Sequence, residues 1–422
     1  MHREVGPATF LRVSFAPMRM PRPGAADAVL YALGAAVAGG VGLFAAIPLQ
    51  REWGRLAVGP YAAGAVAAFV LHRLGAGVRA RTWLAAAVVV GVVVMPLALE
   101  ATWRARSHPG LHAQSEVIIT EEAARALLQG RDPYATTYVH GPLAARPLGT
   151  TTHFPYLPLM MAFGMPRAAG LPAPLSDARL WFAVGTSGVG GLMLRRWPGE
   201  AERKLRVAQA LVLLPTSALL LPTGGDDMPV VALLGLAVAF LAARKPRAAG
   251  VVAGLAAAMK QTAWPVLPFL LLAARNRDGS RARAAFAGPV AVIVVAVMAP
   301  FVLWHPAAFV EDAVKFPLGL GRQPSAAGTP TIGTALLRLG PHGPLTVALV
   351  AIIALVAVVL LVRTRTGSTR DAARAAGLAW LVALLLAPAA RIGYLVYPLN
   401  LLAWGWLLRE PATVEAPQGG AT

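Results

Sequence analysis

The chain has 422 residues, of which 57% are hydrophobic and only 14% are charged, and its mean hydropathy is +0.61. These values exclude an ordinary soluble domain and are typical of an all-α, polytopic integral membrane protein. Because the chain contains no cysteine, a disulfide framework, a thiolate nucleophile and a Cys-ligated metal are excluded as well.

The net charge of +19 comes from 38 Lys and Arg residues against 19 Asp and Glu residues. With the N-terminus placed in the cytoplasm, most of the basic residues fall in segments between spans on the cytoplasmic side. The charge therefore indicates orientation under the positive-inside rule and attraction to membrane lipids, and not binding of nucleic acid. We expect a multi-pass protein of the plasma membrane.

Residues 1–25 lack an apolar run long enough for a signal peptide and are predicted to form a cytoplasmic tail. Residues 26–409 are predicted to form a single transmembrane domain, followed by a cytoplasmic C-terminal tail at 410–422. About twelve membrane passages are expected, several of which reach the roughly 20 apolar residues that a bilayer core needs. The predicted passages are residues 26–48, 56–71, 82–100, 179–194, 207–221, 228–243, 248–259, 264–273, 284–302, 345–362, 373–386 and 392–408.

Long outer loops are predicted at residues 101–152 and 304–344. A full passage at residues 153–166 would place the later arginine-rich loops outside, so this segment is predicted to be a short re-entrant helix. Residues 306–316 predict an amphipathic helix at the membrane interface. Its apolar stripe comprises Phe309, Val310, Ala313 and Phe316, with Glu311, Asp312 and Lys315 on the opposite side.

The first outer loop contains Glu116 directly before the apolar run 117–119. Partial burial at this position would favour a general base. An acid that is merely stabilised by a helix N-terminus is the alternative. Glu121 and Glu122, with Arg125 one turn later, are predicted to form a solvated face.

Two adjacent carboxylates, Asp226 and Asp227, follow the glycines Gly224 and Gly225 between two predicted passages. Such a pair can hydrogen-bond sugar hydroxyls or bind a divalent cation through oxygen ligands. A helix N-cap accounts for one of the two aspartates but not for both.

Lys260 is a cation inside an apolar hairpin. It lies thirteen residues after Arg247, which at about 1.5 Å per residue raises it roughly 20 Å, beyond the midplane of a core about 30 Å thick. A cation at that depth is costly unless it pairs with an anion or extends to the surface. Phosphate binding and extension to the outer surface are therefore the two interpretations.

Near the C-terminus, Arg391 precedes Tyr394 and Tyr397. A guanidinium suits phosphate oxygens, and tyrosine suits sugar faces and hydroxyls. Anchoring of the aromatic rings at the membrane interface is the competing interpretation.

These motifs occur in a characteristic order: the loop at 116–134, His-Phe-Pro-Tyr-Leu-Pro at 153–158, Gly-Gly-Asp-Asp at 224–227, the hairpin ending at Lys260, and Arg-x-Gly-Tyr at 391–394. In this order they resemble the GT-C superfamily of membrane glycosyltransferases, and more closely glycosyltransferase family 87. The resemblance extends from about Glu116 to Asn400. Aspartate is commoner than glutamate at the position of Glu116, and the family's Tyr-Pro-Pro-Leu pattern is altered here at 155–158.

The resemblance implies a GT-C-like fold and transfer of a sugar, with inversion, from a polyprenyl-phosphate donor to a glycolipid or glycan acceptor at the extracytoplasmic face. It implies that Glu116 is the catalytic base and that Lys260 and Arg391 bind the donor phosphate. Sugar or acceptor binding then falls on Asp226, Asp227, His153, Tyr156, Gln261, Tyr394 and Tyr397.

No metal site is assigned, with a divalent cation at Asp226 and Asp227 as the alternative. The richness in Ala, Gly and Arg resembles high-GC actinobacterial proteins, for which decaprenyl-phosphate mannose or arabinose is the natural donor.

Two other functions stay open. A transporter or lipid flippase would need a path open in turn to both faces, and the sequence offers neither an internal repeat nor midplane acids on the cytoplasmic half. An inactive relative that serves as a membrane partner of other envelope enzymes is the second. Scattered positions of Glu116, Asp226, Lys260 and Arg391 would favour it.

Overall fold

The computed structural model describes residues 23–146, 148–274, 279–323, 329, 331–364, 368–387 and 390–409. Nearly all of the predicted tail at 1–25, and the whole of the tail at 410–422, lie outside the described residues. Across the described ranges the chain forms helices joined by loops, with no β-strand. The structure is therefore all-α, as predicted.

The α-helices are α1 (Pro23–Phe44), α2 (Pro48–Arg73), α3 (Val78–Val89), α4 (Met95–Arg106), α5 (Ser115–Leu128), α6 (Leu148–Thr151), α7 (Met165–Ala168), α8 (Ala178–Arg196), α9 (Ala201–Val212), α10 (Pro215–Thr223), α11 (Asp227–Ala242), α12 (Pro246–Met259), α13 (Leu267–Ala273), α14 (Gly279–Trp304), α15 (Pro306–Val310), α16 (Ile332–Leu337), α17 (His342–Arg363), α18 (Thr369–Leu386) and α19 (Val396–Leu407). Segments of π-helix occur at Val90–Val94 and Glu311–Lys315, and segments of 3₁₀-helix at Gly141–Leu143, Pro158–Phe163, Gln261–Val266 and Ile392–Leu395.

Helices cover most of each segment that was predicted to be a membrane passage, while the number of twelve passages stays a prediction. Within the described part of the chain, five helices are long and apolar enough to cross a membrane, and α9 and α10 would together make a sixth if their 50° bend lies within one span. The five are Gly24–Phe44, Pro48–Arg73, Val78–Arg106, Ser280–Trp304 and Gly343–Arg363. These helices fit a membrane protein.

The packed core is centred on α11. Almost every residue of this helix is buried, because it is apolar around its whole circumference. Helices α8, α12 and α19 pack against it. By contrast, only 6% of the residues in the most apolar part of α14, and likewise of α17, are buried inside the protein. These helices therefore direct their apolar side chains outward, as helices in contact with lipid do.

The polar residues singled out above lie at helix ends. Glu116 is in the first turn of α5, and Asp227 is the first residue of α11. α12 ends at Met259, and Lys260 then adopts an extended backbone with φ −153° and ψ 138°. Arg391 directly precedes the 3₁₀ turn that leads into α19. Interrupted helices therefore present these side chains at a common junction.

The structure corrects the prediction of a solvated face at Glu121. This carboxylate is only 1% exposed, and it accepts two hydrogen bonds from the Arg104 guanidinium at 2.9 and 2.7 Å. The Nε atom of Arg167 lies 3.2 Å away. Glu122 does pair with Arg125 as expected, at 3.4 Å, although partial burial raises the pKa of Glu122.

The helix predicted at residues 306–316 also differs from the prediction in which of its side chains are buried. It continues beyond α15 as a π-helix, and the wider turn changes which side chains face inward. Asp312, predicted on the polar side, is 3% exposed, whereas Val310, predicted on the apolar stripe, is 40% exposed. The Asp312 carboxylate accepts a 2.7 Å hydrogen bond from the backbone N–H of Phe154.

The predicted re-entrant segment at 153–166 contains only short helical turns. Its 3₁₀ segment has six residues, which at about 2.0 Å per residue covers roughly 12 Å. A bilayer core is about 30 Å thick. The segment is therefore too short to cross a membrane alone.

Candidate active site

Lys260 lies at the centre of the site. Its Nζ atom is 2.7 Å from Asp226 Oδ2 and 2.6 Å from Asp227 Oδ1. The ring centroids of Tyr156 and Tyr394 lie 5.1 and 5.5 Å from the same atom, within the range of a cation–π contact. Lys260 is only 4% exposed. Its charge is therefore paired inside the protein, and the interpretation that it extends to the surface is wrong.

The two aspartates have different partners. Asp226 lies at the N-cap position of α11, but its side chain makes no capping hydrogen bond and instead accepts one from Lys260. Asp227 accepts a 2.6 Å hydrogen bond from the Tyr397 hydroxyl. That hydroxyl lies 2.6 Å from Thr262 Oγ1. Pairing with Lys260 thus explains why both carboxylates occur in succession.

Glu116 forms an ion pair with Arg391 across the loop junction. The distance from Arg391 Nη1 to Glu116 Oε2 is 3.0 Å, and the Glu116 side chain is almost completely buried. A Cβ atom added at Gly224 would lie 2.5 Å from Glu116 Oε1, so Glu116 packs directly against the turn that carries Asp226. Arg391 also interacts electrostatically with Asp226. The structure therefore brings these residues together in one cluster.

Two backbone hydrogen bonds hold the elements of the cluster in register. The Gln114 N–H donates to the Thr223 carbonyl at 3.1 Å, and the Leu157 N–H donates to the Met259 carbonyl at 3.1 Å. The first bond joins the start of α5 to the end of α10. The second joins the segment before Pro158 to the end of α12.

Gln261 and His153 are placed differently from the other predicted sugar ligands. The Gln261 amide donates to the backbone carbonyls of Ala313 at 2.6 Å and Pro155 at 3.2 Å, and so links the π-helical segment to the core. The His153 ring stacks on Phe316 with centroids 4.2 Å apart, and its Nε2 atom is 3.9 Å from Glu311 Oε1. These contacts place His153 with the π-helical segment.

Several residues that support the site were not found from the sequence. The Trp380 ring stacks on Tyr397 with centroids 5.0 Å apart, and its Nε1 donates to the Thr262 carbonyl at 3.2 Å. Arg179, fully buried, donates to the Pro222 carbonyl at 2.8 Å, just before the Gly224 turn. Proximity to Lys260 was a signal for Thr262. Trp380 lies within an apolar helix and gave no signal, whereas the charge of Arg179 at the start of an apolar helix was a signal that the sequence interpretation did not use.

Arg179 also belongs to a buried ion network with Asp177. The Nη2 atom of Arg179 is 2.8 Å from Asp177 Oδ2, and Arg104 Nη1 is 3.0 Å from the same oxygen. Burial alone would raise the pKa of Asp177, but the two guanidinium groups outweigh burial and hold its pKa well below the usual range. This network joins α4, α5 and α8 beneath the site.

Lys260 occupies the position between the two aspartates where a divalent cation was the alternative interpretation. An ammonium group already lies between the two carboxylates at 2.7 and 2.6 Å. Within the described ranges, no group of three or more His, Cys, Asp or Glu side chains could hold a metal ion. A divalent cation at Asp226 and Asp227 would have to displace Lys260.

Comparison with protein families identifies the class of protein: the chain is a glycosyltransferase. The model that it matches is glycosyltransferase family 87, over residues 154–388. Since this is more than half of the chain, the chain belongs to that family. Comparison with curated proteins and with solved structures finds no match.

The match is narrower than the span of motifs expected from the sequence. It contains Tyr156, Asp226, Asp227, Lys260 and Gln261. It does not contain the remaining residues predicted for the site, which are Glu116, His153, Arg391, Tyr394 and Tyr397. The proposed roles of Glu116, Arg391, Tyr394 and Tyr397 therefore depend on the geometry of the cluster, to which His153 does not belong.

Proposed function

We propose that the chain transfers a hexosyl (for example mannosyl) or arabinosyl group from a polyprenyl-phosphate donor to a hydroxyl of a glycan or glycolipid. The reaction takes place at the extracytoplasmic face of the plasma membrane, in a GT-C-like domain with about twelve passages. The observation that carries this proposal is the convergence of Glu116, Arg391, Lys260 and Asp226 at one junction of interrupted helices. An inactive relative has no need of such convergence.

The proposed reaction is a single displacement with inversion. Glu116 accepts the proton of the acceptor hydroxyl as its oxygen bonds to the anomeric carbon of the donor sugar. The bond from that carbon to the phosphate oxygen breaks, and its electron pair leaves with the polyprenyl phosphate. Arg391 stabilises the negative charge that accumulates on the leaving phosphate.

Arg391 is the better placed of the two predicted phosphate ligands. Lys260 is already paired with two carboxylates, whereas Arg391 has a partly exposed side chain and one carboxylate partner at 3.0 Å. An incoming phosphate competes with Glu116 for the guanidinium. Donor binding therefore frees the Glu116 carboxylate to act as a base.

Lys260 then has a supporting role in the proposed mechanism. By pairing with both Asp226 and Asp227 it holds the two carboxylates in a buried position where their remaining oxygen lone pairs can accept hydrogen bonds from sugar hydroxyls. Tyr394 and Tyr397 line the same position. We assign the donor sugar to this side of the cluster.

The donor class is tested by incubating membranes that contain the protein with labelled polyprenyl-phosphate sugars, and in parallel with the corresponding nucleotide sugars. The proposal expects label to enter a glycan or glycolipid fraction only from the lipid-linked donors. A matched membrane without the protein is the control. The proposal would be contradicted if the protein transferred label from nucleotide sugars and not from the lipid-linked donors.

A further inference from the structure

A second polar site lies beside the cluster described above. It is a shallow depression of about 460 Å³, wide open to solvent and here called the groove, lined by Glu52, Trp103, Arg106, Ser107 and His112. Glu52 is in the first turns of α2, Trp103 and Arg106 are in the last turn of α4, and the other two residues belong to the loop that leads into α5. None of these residues is used by the proposed transfer reaction.

The composition of the groove suits a saccharide. The flat face of an indole packs against the apolar face of a sugar ring, while carboxylate, guanidinium, imidazole and hydroxyl groups exchange hydrogen bonds with ring hydroxyls. A few polar groups around an aromatic surface are typical of small-ligand sites. Trp103, Glu52 and His112 are all partly exposed to the groove.

His112 is held in an unusual backbone conformation. Its φ angle is +52°, in the left-handed region that non-glycine residues rarely adopt. This conformation directs the imidazole ring to 5.9 Å from the Trp103 ring and places Nδ1 3.3 Å from Glu52 Oε2. Strained residues of this kind occur preferentially at binding sites. The three side chains therefore meet at the groove.

The groove lies close in sequence to the proposed base. His112 lies four residues before Glu116, so their Cα atoms are at most roughly 14 Å apart. The loop around His112 is held on both sides, because Arg146 Nη2 donates to the carbonyls of Gly110 at 2.8 Å and Ala113 at 3.1 Å. A glycan that occupies the groove can therefore present its terminal hydroxyl to Glu116.

We propose that this groove binds the saccharide part of the acceptor. The inference rests on the proposed function, since it supplies the acceptor for that same reaction. It assigns to Trp103 the stacking surface, and to Glu52, Arg106 and His112 the hydrogen bonds that orient the glycan.

The test uses the purified full-length protein and an octyl mannobioside that carries a diazirine, with a sugar-free octyl diazirine as the probe for detergent-like binding. On photolysis, the mannobioside probe is expected to label the peptide of the wild-type protein that contains residues 103–112. The sugar-free probe is expected to leave this peptide unlabelled. Trp103→Ala is expected to reduce this labelling about fivefold or more, whereas Trp103→Phe keeps most of it. Trp83, which is 71% exposed on α3, provides the matched control Trp83→Ala, which should label as the wild type does.

Equal labelling of the wild-type and Trp103→Ala proteins, with unchanged thermal unfolding temperatures, would overturn the inference. So would equal labelling by the sugar-free probe. Because labelling needs no turnover, its outcome is separate from that of the transfer assay. Labelling without transfer would count against the proposed function alone, and transfer without labelling would count against the groove alone.

Discussion

At the scale of single residues, the site depends on the close approach of Glu116 to the turn at Gly224. A methyl group at this position would lie 2.5 Å from Glu116 Oε1 and 3.2 Å from Gln114 Oε1. Both atoms are the ends of flexible side chains, so they can move without unfolding the helices. A side chain at Gly224 is therefore expected to displace the carboxylate of Glu116, the proposed base.

Gly224→Ala is accordingly expected to keep the thermal unfolding temperature within a few degrees of the wild-type value. The transfer rate is expected to fall about tenfold or more, because a small displacement of a catalytic group from its reacting position slows the reaction strongly. Gly188→Ala is the matched control, since a Cβ at Gly188 meets no atom within 4 Å. Equal transfer rates in the two variants would show that the position of Glu116 against Gly224 is unimportant.

Arg391 is predicted to carry most of the phosphate affinity. Arg391→Ala is expected to weaken binding of farnesyl phosphate about tenfold or more, because a charge-assisted hydrogen bond is worth roughly 1.5–3 kcal/mol. Arg338→Ala, which removes an exposed arginine of the second long loop, should leave this affinity unchanged. Binding is measured by isothermal titration of the detergent-solubilised protein. An unaltered dissociation constant in Arg391→Ala would exclude the assigned role.

At the scale of elements, the segment formed by α15 and the π-helix Glu311–Lys315 is attached to the core by polar contacts. Asp312 accepts from the Phe154 backbone, and Gln261 donates to the Ala313 carbonyl. The π-helical turn could not be read from the sequence, because a stripe at helical spacing assumes an uninterrupted α-helix. The same limit applies to Glu121, whose partner Arg104 is on another helix.

This attachment is predicted to depend on pH through Asp312. Burial raises the pKa of the Asp312 carboxyl to about 8; the hydrogen bond from Phe154 opposes the rise, and Glu311 and Asp132 add to it. The Nε2 atom of His153 lies 4.0 Å from this carboxyl. The folded protein thus retains a proton that the unfolded chain releases near pH 4. The stabilisation is full below about pH 4 and is lost as the pH rises towards 8.

Asp312→Asn cannot ionise but keeps an oxygen that accepts from Phe154. Between about pH 5 and pH 8, the unfolding temperature of the wild-type protein is expected to fall more steeply than that of Asp312→Asn. Thermal scans in the same detergent measure the difference between the two proteins, so that contributions from other titrating groups cancel. Parallel curves would show that Asp312 is ionised throughout this range.

At the scale of the whole molecule, hydropathy located the helices well, because long apolar runs such as those of α14 and α17 have few alternatives to a helix in lipid. Hydropathy could not show where helices break. The bend between α9 and α10 lies directly before Pro215, and α12 ends at Met259. The polar cluster lies at just such breaks. The residue types therefore indicated which residues belong to the cluster. The pairing of Lys260 with both aspartates could be seen only in the folded structure.

The proposed orientation of the chain in the membrane can be tested with single introduced cysteines, because the chain has no cysteine of its own. Leu111→Cys lies in the predicted outer loop, and Glu200→Cys lies in a predicted cytoplasmic one; both positions are exposed. A membrane-impermeant maleimide applied to intact cells is expected to label only Leu111→Cys, with Glu200→Cys labelled after permeabilisation. The reverse pattern would place the site in the cytoplasm.

The central claim is that Glu116 is the base of a glycosyltransferase whose donor phosphate is bound by Arg391. The most direct measurement compares wild-type protein with Glu116→Gln for both transfer from a labelled polyprenyl-phosphate sugar and binding of farnesyl phosphate. Glu116→Gln is expected to lose transfer by about 100-fold or more, yet to bind farnesyl phosphate at least as tightly, because Arg391 is no longer shared with a carboxylate. Undiminished transfer by Glu116→Gln would contradict the central claim.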